Sequence, residues 1–220
     1  MSPKQFGVSV LVSAFLLLLS GCAHQLTVLN LDQYHASSRS PLPPTSTIGV
    51  LEGDIDTGAM ELFDGVAAGL ARSGAQVANP YRPAADKPAD LVARIGIKAK
   101  YDGSGTNFWI NFPGFLIWAP AWNGYVYKAD FAVHVDLYKG SDTKTAVDTL
   151  DIPVNLDIRH AEIDRTWTEV SWFEVGIIAL VGGFMFQKYD TDVTPLLMHE
   201  IERPIGDYIA HKILEKFPGP

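Results

Sequence analysis

The sequence predicts an α+β fold, in which a mostly antiparallel sheet of about four or five strands carries helices packed on one face. Three observations predict it. Three long segments alternate apolar and polar residues, two segments repeat apolar residues at helical spacing, and the order along the chain is strand, helix, strands, helix. We expect a single domain of this kind over residues 47–217, without internal repeats.

The domain is predicted to begin with a short apolar strand over 47–53 and a helix over 57–73. Apolar residues three and four positions apart place one stripe of this helix against the core. Gly74 follows at the position where a left-handed residue commonly ends a helix. The stripe consists of Ala59, Leu62, Phe63, Val66, Ala67 and Leu70.

Three further strands are predicted over 91–101, 126–138 and 149–158, where every second residue is apolar. Alternation with one polar side is typical of an antiparallel sheet that is covered on one face. Pro153 cannot donate a hydrogen bond to a neighbouring strand, so it indicates an edge strand.

The C-terminal part is predicted to be helical. Thr194 is a suitable N-cap and Pro195 a suitable first residue of this helix. Pro204 lacks the amide hydrogen that a helix interior needs, so we expect it to kink the helix or to divide it in two.

The N-terminus contains an apolar run over 8–19, shorter than the roughly 20 residues that span a bilayer. The run ends in Leu19-Ser20-Gly21-Cys22, which resembles the lipobox of bacterial lipoproteins, and Cys22 is the only cysteine. The resemblance implies that the Cys22 sulfur takes a diacylglyceryl group. It also implies that the peptide is cut before Cys22 and that the new amine receives a fatty acid such as palmitate. The alternative is an ordinary secretory signal or an anchor helix with a chance cysteine.

The lipobox divides the N-terminal region into two parts. Residues 1–21 would be the signal peptide, and residues 22–46 would be the lipidated Cys22 and a flexible tether rich in Ser and Pro. About 20 stretched residues reach about 70 Å, although a leader without mechanical purpose is equally compatible with this composition. Ala23 rather than Asp follows Cys22, so the resemblance implies the outer membrane, with the protein on its periplasmic face.

Composition narrows the classes of partner. Cleavage would remove Lys4 as the only charged residue of the signal, so the formal net charge of −8 becomes one unit more negative. Such an acidic chain argues against nucleic acid as a partner. The remaining chain of about 200 residues is long enough for one core, and no second cysteine is available for a disulfide.

The order of elements behind a lipobox resembles a group of bacterial envelope lipoproteins with the small α/β fold of the TolB N-terminal domain. Curli-type secretion lipoproteins, the Pel-type export lipoprotein and lipoprotein activators of penicillin-binding proteins belong to this group. The resemblance covers the architecture over about 47–217. It rests on no diagnostic motif, so it transfers no functional residue to this chain.

Two strongly apolar segments exceed what the predicted core needs. Segment 108–122, FWINFPGFLIWAPAW, fits a protein or membrane contact, or a lid over the sheet. Segment 172–186 contains only apolar residues and glycines from 175 to 186, and this run is too short to span a bilayer. It fits a buried core element, a subunit interface or a membrane-dipping hairpin. The candidate membrane or subunit contact residues are Trp109, Phe115, Trp118, Trp122, Gly182 and Gly183.

No catalytic residue, metal site or cofactor is predicted. His199 and Glu200 begin the pattern of a zinc-protease helix, but Arg203 occupies the position of the second ligand. His134 and His160 have no ligand at a recognisable spacing. We therefore expect that the protein is not an enzyme.

Together these observations predict a non-enzymatic outer-membrane lipoprotein. We expect it to form homo-oligomers, or to join other proteins, in an envelope complex for export or surface biogenesis. Two alternatives remain. One is a monomeric regulator of a periplasmic enzyme, such as a peptidoglycan synthase activator that reaches its partner through the tether. The other is a lipid-binding carrier with the aromatic loop at the mouth of a pocket.

Overall fold

A computed structural model describes residues 25–35, 46–111, 124–140, 142–161 and 187–216. They form six strands and three α-helices, so the predicted α+β class is confirmed. The strands are β1 (Gln25–Val28), β2 (Thr47–Ile55), β3 (Gln76–Ala78), β4 (Leu91–Asp102), β5 (Tyr125–Lys139) and β6 (Asp148–Ala161). The helices are α1 (Met60–Arg72), α2 (Thr106–Asn111) and α3 (Thr194–Glu215).

The chain divides into two compact units. The larger unit draws on Val28–Asp102, Lys128–Ile158 and Asp190–Pro220, and it contains α1, α3 and most of the sheet. The smaller unit includes Gly103–Tyr127, and it contains α2.

The sheet is mixed, with strand order β1-β6-β5-β4-β2-β3. The prediction of antiparallel pairing is confirmed for β4 and β5, which run from Leu91 opposite Lys139 to Asp102 opposite Lys128. It is wrong for β2, which pairs in parallel with both β3 and β4. The crossover through α1 returns the chain to the end of the sheet at which β2 began, so β3 must run parallel to β2. Apolar alternation reports which face is buried, not the direction of the neighbouring strand.

The alternation seen in the sequence is confirmed by burial along β5 and β6. One face of these strands is buried, whereas the residues between the buried positions are mostly exposed or half-buried. The large side chains of this face that are fully buried include Tyr127, Phe131, Leu137, Leu156 and Ile158.

The opposite face is covered at one corner of the sheet, which the prediction of a single covered face missed. Tyr81 lies over Gly49, where a Cβ atom would come within 2.5 Å of the Tyr81 ring. The backbone N–H of Tyr81 donates to the carbonyl oxygen of Val50 at 2.9 Å. Tyr81 belongs to a small buried cluster with Ala89, Val92 and Tyr138.

Helices α1 and α3 pack against each other through small residues. A Cβ atom on Gly65 would overlap the carbonyl oxygen of Glu202, and one on Gly206 would lie 2.5 Å from the carbonyl group of Gly65. One turn further along α1, a Cβ on Gly69 would lie 2.9 Å from the Cβ of Ala210. The absence of side chains at these glycines therefore lets the two helix backbones come into contact.

Helix α1 ends as predicted, since Gly74 has a φ of 95°. Helix α3 differs from the prediction at its first residue. Thr194 is its first residue rather than its N-cap, because the turn before it is capped by Asp190, whose side chain accepts from the backbone N–H of Asp192. Of the two outcomes predicted for Pro204, division into two helices does not occur, because α3 continues through this residue. The carbonyl group that loses its partner there belongs to Glu200, which is exposed to solvent.

The predicted tether over 22–46 is wrong for residues 25–35. These residues, called the N-terminal strap below, form β1 and a short 3-10 turn at Leu31–Gln33. The order of the sheet places β1 at its edge, beside β6. Residues 22–24 and 36–45 of the predicted tether lie outside the described residues, as does the predicted signal peptide.

The N-terminal strap is fixed to β6 by side chains as well as by backbone groups. The backbone N–H of Leu29 donates to the carbonyl oxygen of Asp157 at 2.8 Å. The side-chain amide of Asn30 donates to the carbonyl oxygen of Asn155 at 2.8 Å and accepts from the N–H of Asp157 at 3.0 Å. The Tyr34 hydroxyl donates to the same Asn155 oxygen at 2.9 Å and accepts from the Asn155 N–H at 2.8 Å.

This attachment corrects the interpretation of Pro153. Strand β6 is not at the edge of the sheet, because β1 lies outside it. The N–H groups of Asn155 and Asp157 both point to the strap, and Pro153 lies one pleat earlier on the same side of β6. The alternation of the strand directs the nitrogen of Pro153 to the outer side of β6. A proline is tolerated there because its nitrogen, which has no hydrogen to donate, does not face β5.

The contact between α1 and α3 gives the first testable prediction. Gly65→Ala should lower the free energy of unfolding by about 1–3 kcal/mol, because the new methyl group overlaps the backbone of α3. The loss should appear although Ala favours a helix over Gly by about 1 kcal/mol. Urea denaturation measures the change.

Gly105→Ala is the matched control, because a Cβ atom at Gly105 meets no other atom within 4 Å. Its effect should stay within about 0.5 kcal/mol. A Gly65→Ala protein as stable as the wild type would contradict the close contact between the helices.

Candidate functional site

The smaller unit presents the one predicted contact residue that the structure describes, Trp109 on α2. The turn before α2 is closed by Ser104, whose carbonyl oxygen accepts from the N–H of Asn107 at 3.1 Å. The Ser104 hydroxyl also accepts from the N–H of Thr106 at 3.3 Å. Serine offers both a short side chain and a carbonyl group to the free N–H groups at the start of a helix, which explains why the helix begins here.

Asn107 fixes α2 to the beginning of β5. Its side-chain amide donates to the carbonyl oxygen of Val126 at 2.9 Å, and its side-chain oxygen accepts from the N–H of Val126 at 2.8 Å. The residue is fully buried. A buried amide with both groups bound is costly to move, because either group would lose its partner away from water. The helix that carries Trp109 is therefore held in one position on the smaller unit.

Trp109 is 68% exposed, which makes it the most exposed large apolar side chain of the described residues. Its ring meets the ring of the half-buried Phe108 edge to face, with centroids 5.1 Å apart. An exposed tryptophan on a fixed support is the arrangement found at the centre of many protein contacts. The contact that the sequence predicts for Trp109 stays a prediction.

The other predicted contact residues cannot be placed. Phe115, Trp118 and Trp122 of the aromatic segment, and Gly182 and Gly183 of the glycine-rich segment, lie outside the described residues, as does Cys22. Their roles stay predictions. The small-residue contact that the structure does show, between α1 and α3, was missed, because Gly65 and Gly69 read as members of an ordinary amphipathic helix.

A group of interacting polar side chains lies on the exposed part of the larger unit. The Nδ1 atom of His134 on β5 lies 2.6 Å from a carboxylate oxygen of Asp151 on β6, and its Nε2 atom lies 3.3 Å from Asp136. Residue 96 of β4, which stands opposite His134, is a glycine. The sequence showed His134 and Asp151 as separate polar residues, because the pairing of β5 with β6 brings them together.

The environment of His134 shifts its acid–base equilibrium. The hydrogen bond to Asp151 raises the pKa of His134 above its ordinary value of 6.5, and the negative charges of Asp151 and Asp136 raise this pKa further. Because His134 is 54% exposed, water screens these interactions. The protonation of the His134 ring can therefore respond to pH, and the two carboxylates account for its contacts without a substrate.

These side chains do not form a metal site. Among the residues that the structure describes, no three His, Cys, Asp or Glu side chains are grouped so that they could hold a metal ion. His160, the other histidine considered as a candidate ligand, is buried on β6 in the smaller unit.

No helix within the described ranges has both the length and the apolar character needed to cross a membrane. No protein-family model matches the chain, and no curated protein matches it. One solved structure that is similar to this chain is a minor lipoprotein from Acinetobacter baumannii, with a TM-score of 0.35 and 11% identity. The similarity covers 79% of this chain and 90% of that chain. It assigns this chain to no family.

The His134 group predicts a pH dependence. A histidine whose pKa is raised on folding stabilises the protein below its unfolded pKa of about 6.5, and this contribution is lost as pH rises through the folded pKa. The difference in stability between the wild type and His134→Gln should therefore shrink from about pH 6 to about pH 8. Urea denaturation at each pH measures it.

NMR titration of the His134 ring distinguishes the effects of Asp151 and Asp136 on the pKa of His134. Asp151→Asn should lower the pKa of His134 more than Asp136→Asn does, because the shorter hydrogen bond is made to Asp151. Equal effects of the two substitutions, or no effect of either, would contradict the assigned geometry.

Proposed function

We propose that this chain is a lipoprotein anchored by Cys22 in the periplasmic face of the outer membrane. It acts there without catalysis, as an oligomeric component of an envelope complex for export or surface biogenesis. The observation that carries the proposal is Trp109, which is 68% exposed on a helix fixed by a buried hydrogen-bonded amide. The lipobox at the end of the apolar N-terminal run supports the anchor.

The position of Trp109 supports a protein contact on energetic grounds. A tryptophan ring buries a large apolar area when a partner covers it, and it has few rotatable bonds to immobilise. Because Asn107 already holds α2 against β5, binding would not need to order the helix. Both properties lower the cost of association.

The N-terminal strap favours an assembled component over a regulator on a long tether. The regulator model needs the Ser- and Pro-rich segment to carry the domain far from the membrane. Strand β1 begins at Gln25, three residues after Cys22, and the following residues are bound to β6. The chain that could act as a free spacer before the first strand is therefore short.

Trp109→Ser tests the contact. We expect assembly to weaken by about 30-fold, the effect of removing an interface residue worth about 2 kcal/mol, while the fold is retained. Sedimentation of the lipidated full-length chain in detergent measures the oligomer, and circular dichroism checks the fold.

Val147→Ser is the matched control, because Val147 is another apolar residue of similar exposure, at 61%, just before β6. It should leave assembly unchanged. If Trp109→Ser assembles like the wild type, Trp109 is not a contact residue. If the wild type sediments only as a monomer, the oligomeric part of the proposal is wrong and the regulator alternative gains support.

A further inference from the structure

The N-terminal strap bears on how the folded protein is oriented at the membrane. Stretched chain covers at most about 3.6 Å per residue, so Gln25 lies within about 11 Å of Cys22. Under the proposed lipidation, Cys22 lies in the lipid headgroup region. The first residue of β1 then has to lie at, or just above, the same surface.

The outward residues of the strap suit such a surface. Gln25 and Thr27 share the exposed side of β1, and Leu29, directly after the strand, continues the same alternation of exposed and half-buried residues. Leu29 is 47% exposed and belongs to the few large apolar side chains that the described part of the chain leaves in solvent. No Asp, Glu, Lys or Arg occurs from Cys22 to Leu31, although the whole chain carries a net charge of −8.

Within the larger unit, the later residues of the strap are joined firmly to β6 and to α3. Besides the hydrogen bonds of Leu29, Asn30 and Tyr34 to β6, the Tyr34 ring packs edge to face against Tyr208 of α3, with centroids 5.2 Å apart. A strap held at the lipid surface would therefore hold residues 155–157 of β6 close to it as well.

Resting on the lipidation of Cys22 in the proposed function, we infer that the outward side of the N-terminal strap lies flat on the lipid surface. This contact orients the domain, with Leu29 in the headgroup region and the outer edge of the sheet facing the bilayer. An apolar side chain and the absence of formal charge favour this arrangement over an upright strand, which would leave Leu29 in water and about 23 Å from Cys22.

Site-specific quenching tests the inference on the full-length lipidated protein in vesicles of phosphatidylethanolamine and phosphatidylglycerol. Because the lipid occupies the Cys22 sulfur, an introduced cysteine is the only thiol that a fluorescent maleimide can label. The variants are Leu29→Cys and, as the control, Gln76→Cys. Gln76 is exposed on β3, the opposite edge of the six-stranded sheet, which lies about 24 Å from β1 at about 4.8 Å per strand.

Brominated lipid should quench the probe at position 29 several-fold more strongly than the probe at position 76, and aqueous iodide should show the opposite order. Equal quenching by brominated lipid at the two positions would overturn the inference. A flexible Gly- and Ser-rich insertion of about 20 residues between Ala23 and His24 should abolish the difference, because the anchor then no longer fixes the height of the strap. Strong lipid quenching at position 29 despite the insertion would also overturn the role of the short connection.

Labelling of the wild-type chain distinguishes a wrong orientation from a missing lipid anchor. If this chain takes up no label while position 29 is not quenched, the anchor is present and only the orientation is wrong. If the wild-type chain is itself labelled at Cys22, the sulfur is free, and the proposed function fails together with the inference.

Discussion

The contact between α1 and α3 is the constraint on which the larger unit depends. Helix α1 lies in the crossover that makes β3 parallel to β2, and α3 is the last of the described helices. Gly65 and Gly206 bring the two helix backbones together, and the contact is too close for a side chain at either position. A small residue is needed on both helices at once, so the sequence is constrained here at two points that are far apart in the chain.

The N-terminal strap constrains the fold at the edge of the sheet beside β6. An edge strand presents unpaired backbone groups, which can recruit other chains. Here the Asn30 amide and the Tyr34 hydroxyl bind the backbone of Asn155 and Asp157, where side chains take the place of a longer strand. The segment that leaves the proposed lipid anchor is thus the same segment that covers β6. Under the proposed lipidation, the anchor and the edge of the fold would be joined by this one segment.

Two surfaces of the protein differ in what they offer a partner. On the exposed side of β4, Lys98 forms ion pairs with Asp54 and Asp56, and Lys100 forms one with Asp102. Charges that are already paired gain little from a new partner. In the smaller unit, Asn107 supports an exposed tryptophan ring, which gains most when it is covered. This contrast is why the proposed protein contact is assigned to α2.

The sequence by itself determined the class of the fold, the positions of most strands and helices, the buried faces of β5 and β6, and the glycine that ends α1. These features follow from local spacing of apolar residues and from backbone preferences, which act over a few neighbours along the chain. It also pointed to Trp109 through the local density of aromatic residues.

Only the tertiary structure decided the parallel pairing of β2, the attachment of the strap to β6, and the approach of Asp151 to His134. Each depends on residues that are distant in sequence, and a strand carries the same alternation whichever way its neighbour runs. The strap illustrates the reason most clearly. Asn30 and Tyr34 are ordinary polar residues until the fold places the backbone of Asn155 and Asp157 within reach of their side chains.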